Sequence, residues 1–176
     1  MMSNRRPLLG LASGALLAAW AATGACAGSA SSSLSLSATV KTNCTVNSPT
    51  LTFSAVDPTA GVDSTGSAVL SVICTKSTTL ADIKLGPGMH QLAGGSRQLN
   101  SGSNNVAYGL FTDAAYTTSW GDSATTGIGN MLNAGFSAFS SVATPQTFTV
   151  YGRVLAAGED VPAGTYTDSV AITVDF

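Results

Sequence analysis

Few side chains in this sequence could do chemistry. There is one histidine, His90, in the run Gly86-Pro87-Gly88-Met89-His90, and nine carboxylates against seven bases. A general base or an activated nucleophile needs a neighbour that holds it in place. The turn-rich surroundings of His90 read as exposed surface, and no second histidine exists to share a metal. The carboxylates stand singly apart from Glu159-Asp160, without the spacing of a calcium loop. A P-loop, a dinucleotide fingerprint and a Gly-x-Ser-x-Gly elbow are all missing. The chain is therefore expected to be no enzyme, with no catalytic residue, metal or cofactor. Asp168 is expected to be structural, its carboxylate bonding backbone amides or a hydroxyl. Tyr116 and Trp120 offer aromatic faces on which a sugar could stack, although loop aromatics more often pack.

The cysteines depend on where the mature chain begins. Arg5 and Arg6 precede an uncharged apolar run over residues 8–22, and Ala25-Cys26-Ala27 follows. This pattern describes a secretory signal peptide, and the run is too short and Gly-broken for a good membrane span. A lipid anchor on Cys26 is the rival reading, but Thr23 stands where an aliphatic residue belongs. Cutting after Ala27 leaves Cys44 and Cys74. An even pair in an exported protein reads as a disulfide, closing a loop worth about 3–4 kcal/mol in the chain-entropy model. A two-thiol metal or redox site would need closer spacing or added ligands. The bases that remain are Lys41, Lys76, Lys84, Arg97 and Arg153, giving a net charge of about −4. No basic stripe is left for nucleic acid.

The elements that must position these residues are short. The chain beyond residue 27 is rich in Ser, Thr, Gly and Ala, and no stretch keeps a helical apolar period. Alternation at Leu34, Leu36, Ala38 and Val40 predicts a strand that reaches Cys44, and Leu51 and Phe53 predict a short second one. Asp57-Pro58 and Asp63-Ser64-Thr65-Gly66 read as loop. Strands follow at residues 68–74, around Ile83 and Leu85, within 94–102, at 106–111 (buried on both faces) and at 146–155. Residues 113–120 read as a loop or hairpin, and 121–144 resist assignment. In residues 164–176, Tyr166, Asp168, Val170, Ile172, Val174 and Phe176 share one face of a last strand, expected to have no later strand to cover it. About seven strands in an all-β, immunoglobulin-like antiparallel sandwich result. The expected divisions are a signal peptide over 1–27, an N-terminal arm over 28–40 and one domain over 41–176.

Four features coincide in this order: an alternating segment before Asn43-Cys44-Thr45-Val46; Leu51-Thr52-Phe53, with Val72-Ile73-Cys74 later; Val150-Tyr151-Gly152-Arg153-Val154; and the ending Gly164-x-Tyr166-x-Asp168-x-Val170-x-Ile172-x-Val174-x-Phe176. The combination resembles the spore coat protein U family, which includes pilins of archaic chaperone–usher pili. The resemblance implies a sandwich lacking its last strand. A periplasmic chaperone would fill the groove, then the N-terminal strand of a sibling subunit delivered through an outer-membrane usher, in a form of β-augmentation. Carried over, the donor face would be Ala30, Ser32, Leu34, Leu36 and Ala38, and the acceptor groove Val170, Ile172, Val174 and Phe176. The donor departs from the family pattern, since only Leu34 and Leu36 are bulky; each Ala or Ser in place of Val forfeits about 1–2 kcal/mol. The implied role is a structural subunit of an exported, head-to-tail cell-surface fibre that supports attachment and biofilm formation. The alternatives are a secreted stand-alone coat protein and a carbohydrate-binding adhesin.

Overall fold

A computed structural model describes residues 28–92, 95–123, 127–156 and 160–176; the expected signal peptide lies outside them. Residues 28–38 belong to a separate unit and are exposed throughout, without regular structure. The unit Thr39–Phe176 contains, among its described residues, strands β1 (Cys44–Val46), β2 (Ser64–Cys74), β3 (Asp82–Leu85), β4 (Arg97–Ser101), β5 (Asn104–Phe111), β6 (Gln146–Val154) and β7 (Ile172–Asp175). They form a five-stranded sheet, ordered β1-β2-β6-β5-β4, and a two-stranded sheet, β3-β7, all antiparallel. The fold is an all-β sandwich of the immunoglobulin type.

The longest ladder joins β2 to β6, from Ser64↔Val154 to Val72↔Gln146. Along β2 the period of two sends Ala68, Leu70, Val72 and Cys74 inward, while Ser67 and Val69 face out. Leu70, Val72 and Val150 meet Ile83 and Leu85 of the smaller sheet, with Leu80, Leu110, Trp120 and Phe139 completing the core. Each such aliphatic side chain contributes about 1.5–3 kcal/mol by leaving water. β4 and β5 are joined by the two-residue loop Gly102-Ser103, in which Gly102 has φ +66°. That left-handed conformation is what a tight hairpin requires of its first loop residue, and glycine adopts it without strain. Tyr166 donates its hydroxyl to the Pro162 carbonyl at 2.8 Å, a tyrosine corner of the kind that marks the approach to a late strand in immunoglobulin-like sandwiches.

Several expectations need correction. The alternation from Leu34 to Lys41 forms no strand; pairing starts only at Cys44. Leu51 and Phe53 also lie outside any strand, although Ser54 N–H reaches the Thr65 carbonyl at 3.0 Å. Conversely, Ser64, Thr65 and Gly66 belong to β2 rather than to a loop. Strand β5 is buried on both faces only toward its end: on the second face Ala107 is exposed, Gly109 half-buried and Phe111 buried. The final run pairs as a strand only over β7, preceded by a single bridge between Thr167 and Asn100. In the region that resisted reading, Leu132 pairs with Ile83 on the side of β3 away from β7, and Phe139 enters the core.

The disulfide is formed. Cys44 and Cys74 are directly opposite across β1 and β2 and bonded to each other. Just beyond it, Thr75 grips the incoming chain. Its N–H donates to the Asn43 carbonyl at 2.9 Å, and its hydroxyl accepts from Asn43 N–H at 3.1 Å, within reach of the Lys41 carbonyl at 3.3 Å.

Candidate functional site: a cleft over the core

The five-stranded sheet is incompletely covered. Past Val46 the chain peels away from the edge of β2, and the Asn47 side chain takes over the hydrogen bonds a strand would have made there. Its Oδ1 accepts from Ser71 N–H at 2.6 Å and its Nδ2 donates to the Val69 carbonyl at 3.1 Å. The segment then lies over a pair of glycines, Gly66 and Gly152, which face each other across β2 and β6. A Cβ on Gly152 would stand 2.8 Å from the Phe53 ring, and one on Gly66 would overlap the Thr52 carbonyl. The two glycines make the space into which Leu51 and Phe53 settle. This explains Gly152 in the Tyr151-Gly152-Arg153 motif.

The opposite wall is the final segment. Thr167 and Asn100 exchange backbone hydrogen bonds, Gly86 N–H donates to the Ala171 carbonyl at 2.9 Å, and β7 continues along β3. Among the described residues, β7 has no strand on its other side. Between the two walls runs a cleft of about 470 Å³. Val46, Leu51 and Phe53 line one side, Asp168, Val170 and Ile172 the other, and Ala68, Leu85, Leu110 and Val150 form an apolar floor. The floor is the upper surface of the core itself, and each of these four side chains stays buried.

One end of the cleft is polar. Tyr108, from β5, donates its hydroxyl to Asp168 Oδ2 at 2.6 Å. Oδ1 accepts from Met89 N–H at 2.9 Å and lies 3.2 Å from His90 Nδ1. The Asp168 side chain is 1% exposed and that of His90 39%. Burial, and then the bond to Asp168, pushes the Tyr108 phenol well above its ordinary value. Asp168 does bond a backbone amide and a hydroxyl, as its place in the sequence suggested, and His90 is an imidazole tied to that carboxylate rather than a free surface group.

Behind this end sits Arg97, a charge in a buried position. Its Nε donates to the Gly86 carbonyl at 2.8 Å, and its Nη2 to those of Leu85 at 2.6 Å and Trp120 at 3.1 Å. It thereby ties β4 of one sheet to the end of β3 in the other, and its burial lowers its pKa. Sequence reasoning counted Arg97 only as a charge; its position between a Gly-rich turn and a short strand carried no sign of burial.

Of the residues expected in an acceptor, Val170 and Ile172 line the cleft. Val174 packs against the core further along β7, and Phe176 is half-exposed. The residues expected to donate, Ala30, Ser32, Leu34, Leu36 and Ala38, are all exposed, Leu34 and Leu36 by 81% and 84%. The aromatics proposed for a sugar are otherwise engaged. Trp120 is 1% exposed and donates its indole N–H to the Ile83 carbonyl, while Tyr116 stacks edge-on with Phe111 beneath the Arg153 guanidinium.

The model of the Spore Coat Protein U domain matches residues 30–173. Protein U of Myxococcus xanthus is 33% identical over 166 residues, covering 85% of this chain and 87% of that protein. The fold is also similar to that of a chain in the crystal structure of the CsuC–CsuE chaperone–tip adhesion subunit pre-assembly complex, from archaic chaperone–usher Csu pili of Acinetobacter baumannii. There the TM-score is 0.54 at 20% identity; the match covers 78% of this chain but 41% of that one, so this chain spans less than half its length. The chain belongs to the Spore Coat Protein U domain family.

Proposed function

We propose that this protein is a non-enzymatic structural subunit of an exported fibre, held together by strands donated between copies. The observation that carries the reading is the cleft between residues 47–53 and 168–172, which is floored by the core residues Leu85, Leu110 and Val150 and runs beside an edge of β7 that has no partner strand among the described residues. An open edge with apolar surface beside it costs free energy until another strand satisfies both. The arm supplies the complement, because Leu34 and Leu36 lie exposed on alternate positions with no cover of their own. A head-to-tail contact of this kind does not close on itself, so repetition gives a filament. A periplasmic chaperone and an outer-membrane usher would serve its export, and Val170, Ile172, Val174 and Phe176 would border the inserted strand. Attachment and biofilm formation are the roles of such a fibre at the cell surface.

The test is assembly of the full chain and of a deletion of residues 28–36, exported from the same host. The full chain is expected to give SDS-resistant multimers that collapse on heating, and the deletion is expected to give monomer. Ladders that survive the deletion would sink the donor role.

A further inference from the structure

Tyr108 touches both walls of the cleft from its floor. Its ring packs edge-on against Phe53, with centroids 5.8 Å apart, and its hydroxyl holds Asp168 on the opposite side. Asp168 has little room to yield. Met89 N–H and His90 hold its other oxygen, and a Cβ on Gly88 would overlap the carboxylate from behind. Swinging it aside would break several hydrogen bonds to a buried carboxylate at about 1 kcal/mol or more apiece. The next inward-facing residues of the same wall, Val170 and Ile172, are apolar.

Resting on the reading above, we propose that the Tyr108–Asp168 hydrogen bond is a register stop for the arm of a second copy: a residue lying over it must be small, which seats Leu34 and Leu36 against Val170 and Ile172. The arm's sequence fits whichever way the strand runs. Alternate residues share a face, so with the two leucines in place the residue over Asp168 is Ser32 in one direction and Ala38 in the other. Both are small. The remaining one of the two then lies opposite Val174, at the end of the pairing away from the stop. A leucine over the stop would be overpacked or would displace Tyr108 from a buried carboxylate, and either is unfavourable. A leucine opposite Val174 would instead add apolar contact.

The experiment compares SDS-resistant multimers of full-chain protein carrying Ser32→Leu or Ala38→Leu, both in the exposed arm where folding of the acceptor is untouched. One substitution is expected to lower assembly by about tenfold, as an overpacked site would, and the other to match or exceed wild type. Which one falls gives the strand direction. Two variants that both assemble like wild type overturn the stop while leaving the donor role standing; wild-type protein that forms no ladders overturns both together. In a Tyr108→Phe background, which keeps the ring against Phe53, the two leucine variants are expected to differ by about threefold or less. A full tenfold difference persisting there overturns the role given to the hydrogen bond.

Discussion

Gly66 and Gly152 face each other across β2 and β6, and Leu51, Thr52 and Phe53 lie directly on the pair. Two absent side chains in the sheet thus place one wall of the cleft.

Adding a methyl group to either glycine should therefore push that wall outward. At Gly66 the obstacle is the Thr52 backbone, whereas at Gly152 it is the Phe53 and Leu51 side chains. Overpacking of this kind costs about 1–3 kcal/mol. Gly66→Ala is expected at the upper end and Gly152→Ala at the lower, read from urea unfolding midpoints. The opposite order would mean that the segment does not rest on the pair as described.

Removing the disulfide should be felt strongly, because β1 is three residues long and pairs only with β2 among the described strands. The double variant Cys44→Ser, Cys74→Ser is expected to lose about 3–4 kcal/mol. Wild-type protein should show a lower unfolding temperature in reductant, while the double variant should be indifferent to it.

Arg97→Lys keeps the charge but cannot place donors on the Leu85, Gly86 and Trp120 carbonyls together, since a compact ammonium lacks the planar fork. Leaving buried carbonyls unpaired costs about 1–3 kcal/mol each, so a loss of about 2–4 kcal/mol in chemical denaturation is expected. A change within experimental error would contradict the tie between the two sheets.

The pairing of β3 with β7 should weaken at both ends of the pH range. Lys84 lies between Asp175 and Asp82; its bond to Asp175, and then that to Asp82, raises its pKa, while Lys84 is the main cause holding Asp175 low. A lowered carboxylate contributes stability that is present above about pH 4, the unfolded value, and lost as pH falls through the folded one. A raised lysine contributes stability that is present below about pH 10.4 and lost as pH rises through its folded value. Tyr108, also raised, acts in the same alkaline sense from about pH 10. In melting temperatures followed against pH, Asp175→Asn should flatten the acid limb and Tyr108→Phe the alkaline limb. Limbs that keep their wild-type slopes in these variants would refute the assignment.

Much of the fold was legible because a half-buried strand displays its period. The inward residues of β2 and the ladder positions of β3, β5 and β6 could be read directly. Alternation reports which side chains share a face but says nothing of a partner, which is why Leu34 to Val40 looked like a strand yet stands unpaired. Leu51 and Phe53 misled for a related reason, since their place is set by glycines far along the chain. Trp120 looked like a loop aromatic because its cover, Ile83 and Leu110, comes from other strands. At the site, Val170, Ile172 and Asp168 were visible in the final run. Tyr108 and Arg97 were not, because their partners lie 60 residues away for Tyr108 and 11 to 23 away for Arg97, without a local pattern.

The disulfide has a mechanical consequence. It joins the first residue of β1 to the last of β2, immediately after the residues that Thr75 holds. Tension on residues 28–40 would meet the Thr75 hydrogen bonds and then a covalent link into β2, which shares the longest ladder of the larger sheet with β6. The covalent path from the arm into the sheet leaves the main chain at Cys44 and does not run along the segment from Val46 to Phe53. A subunit pulled by its arm would keep the near wall of its own cleft in place.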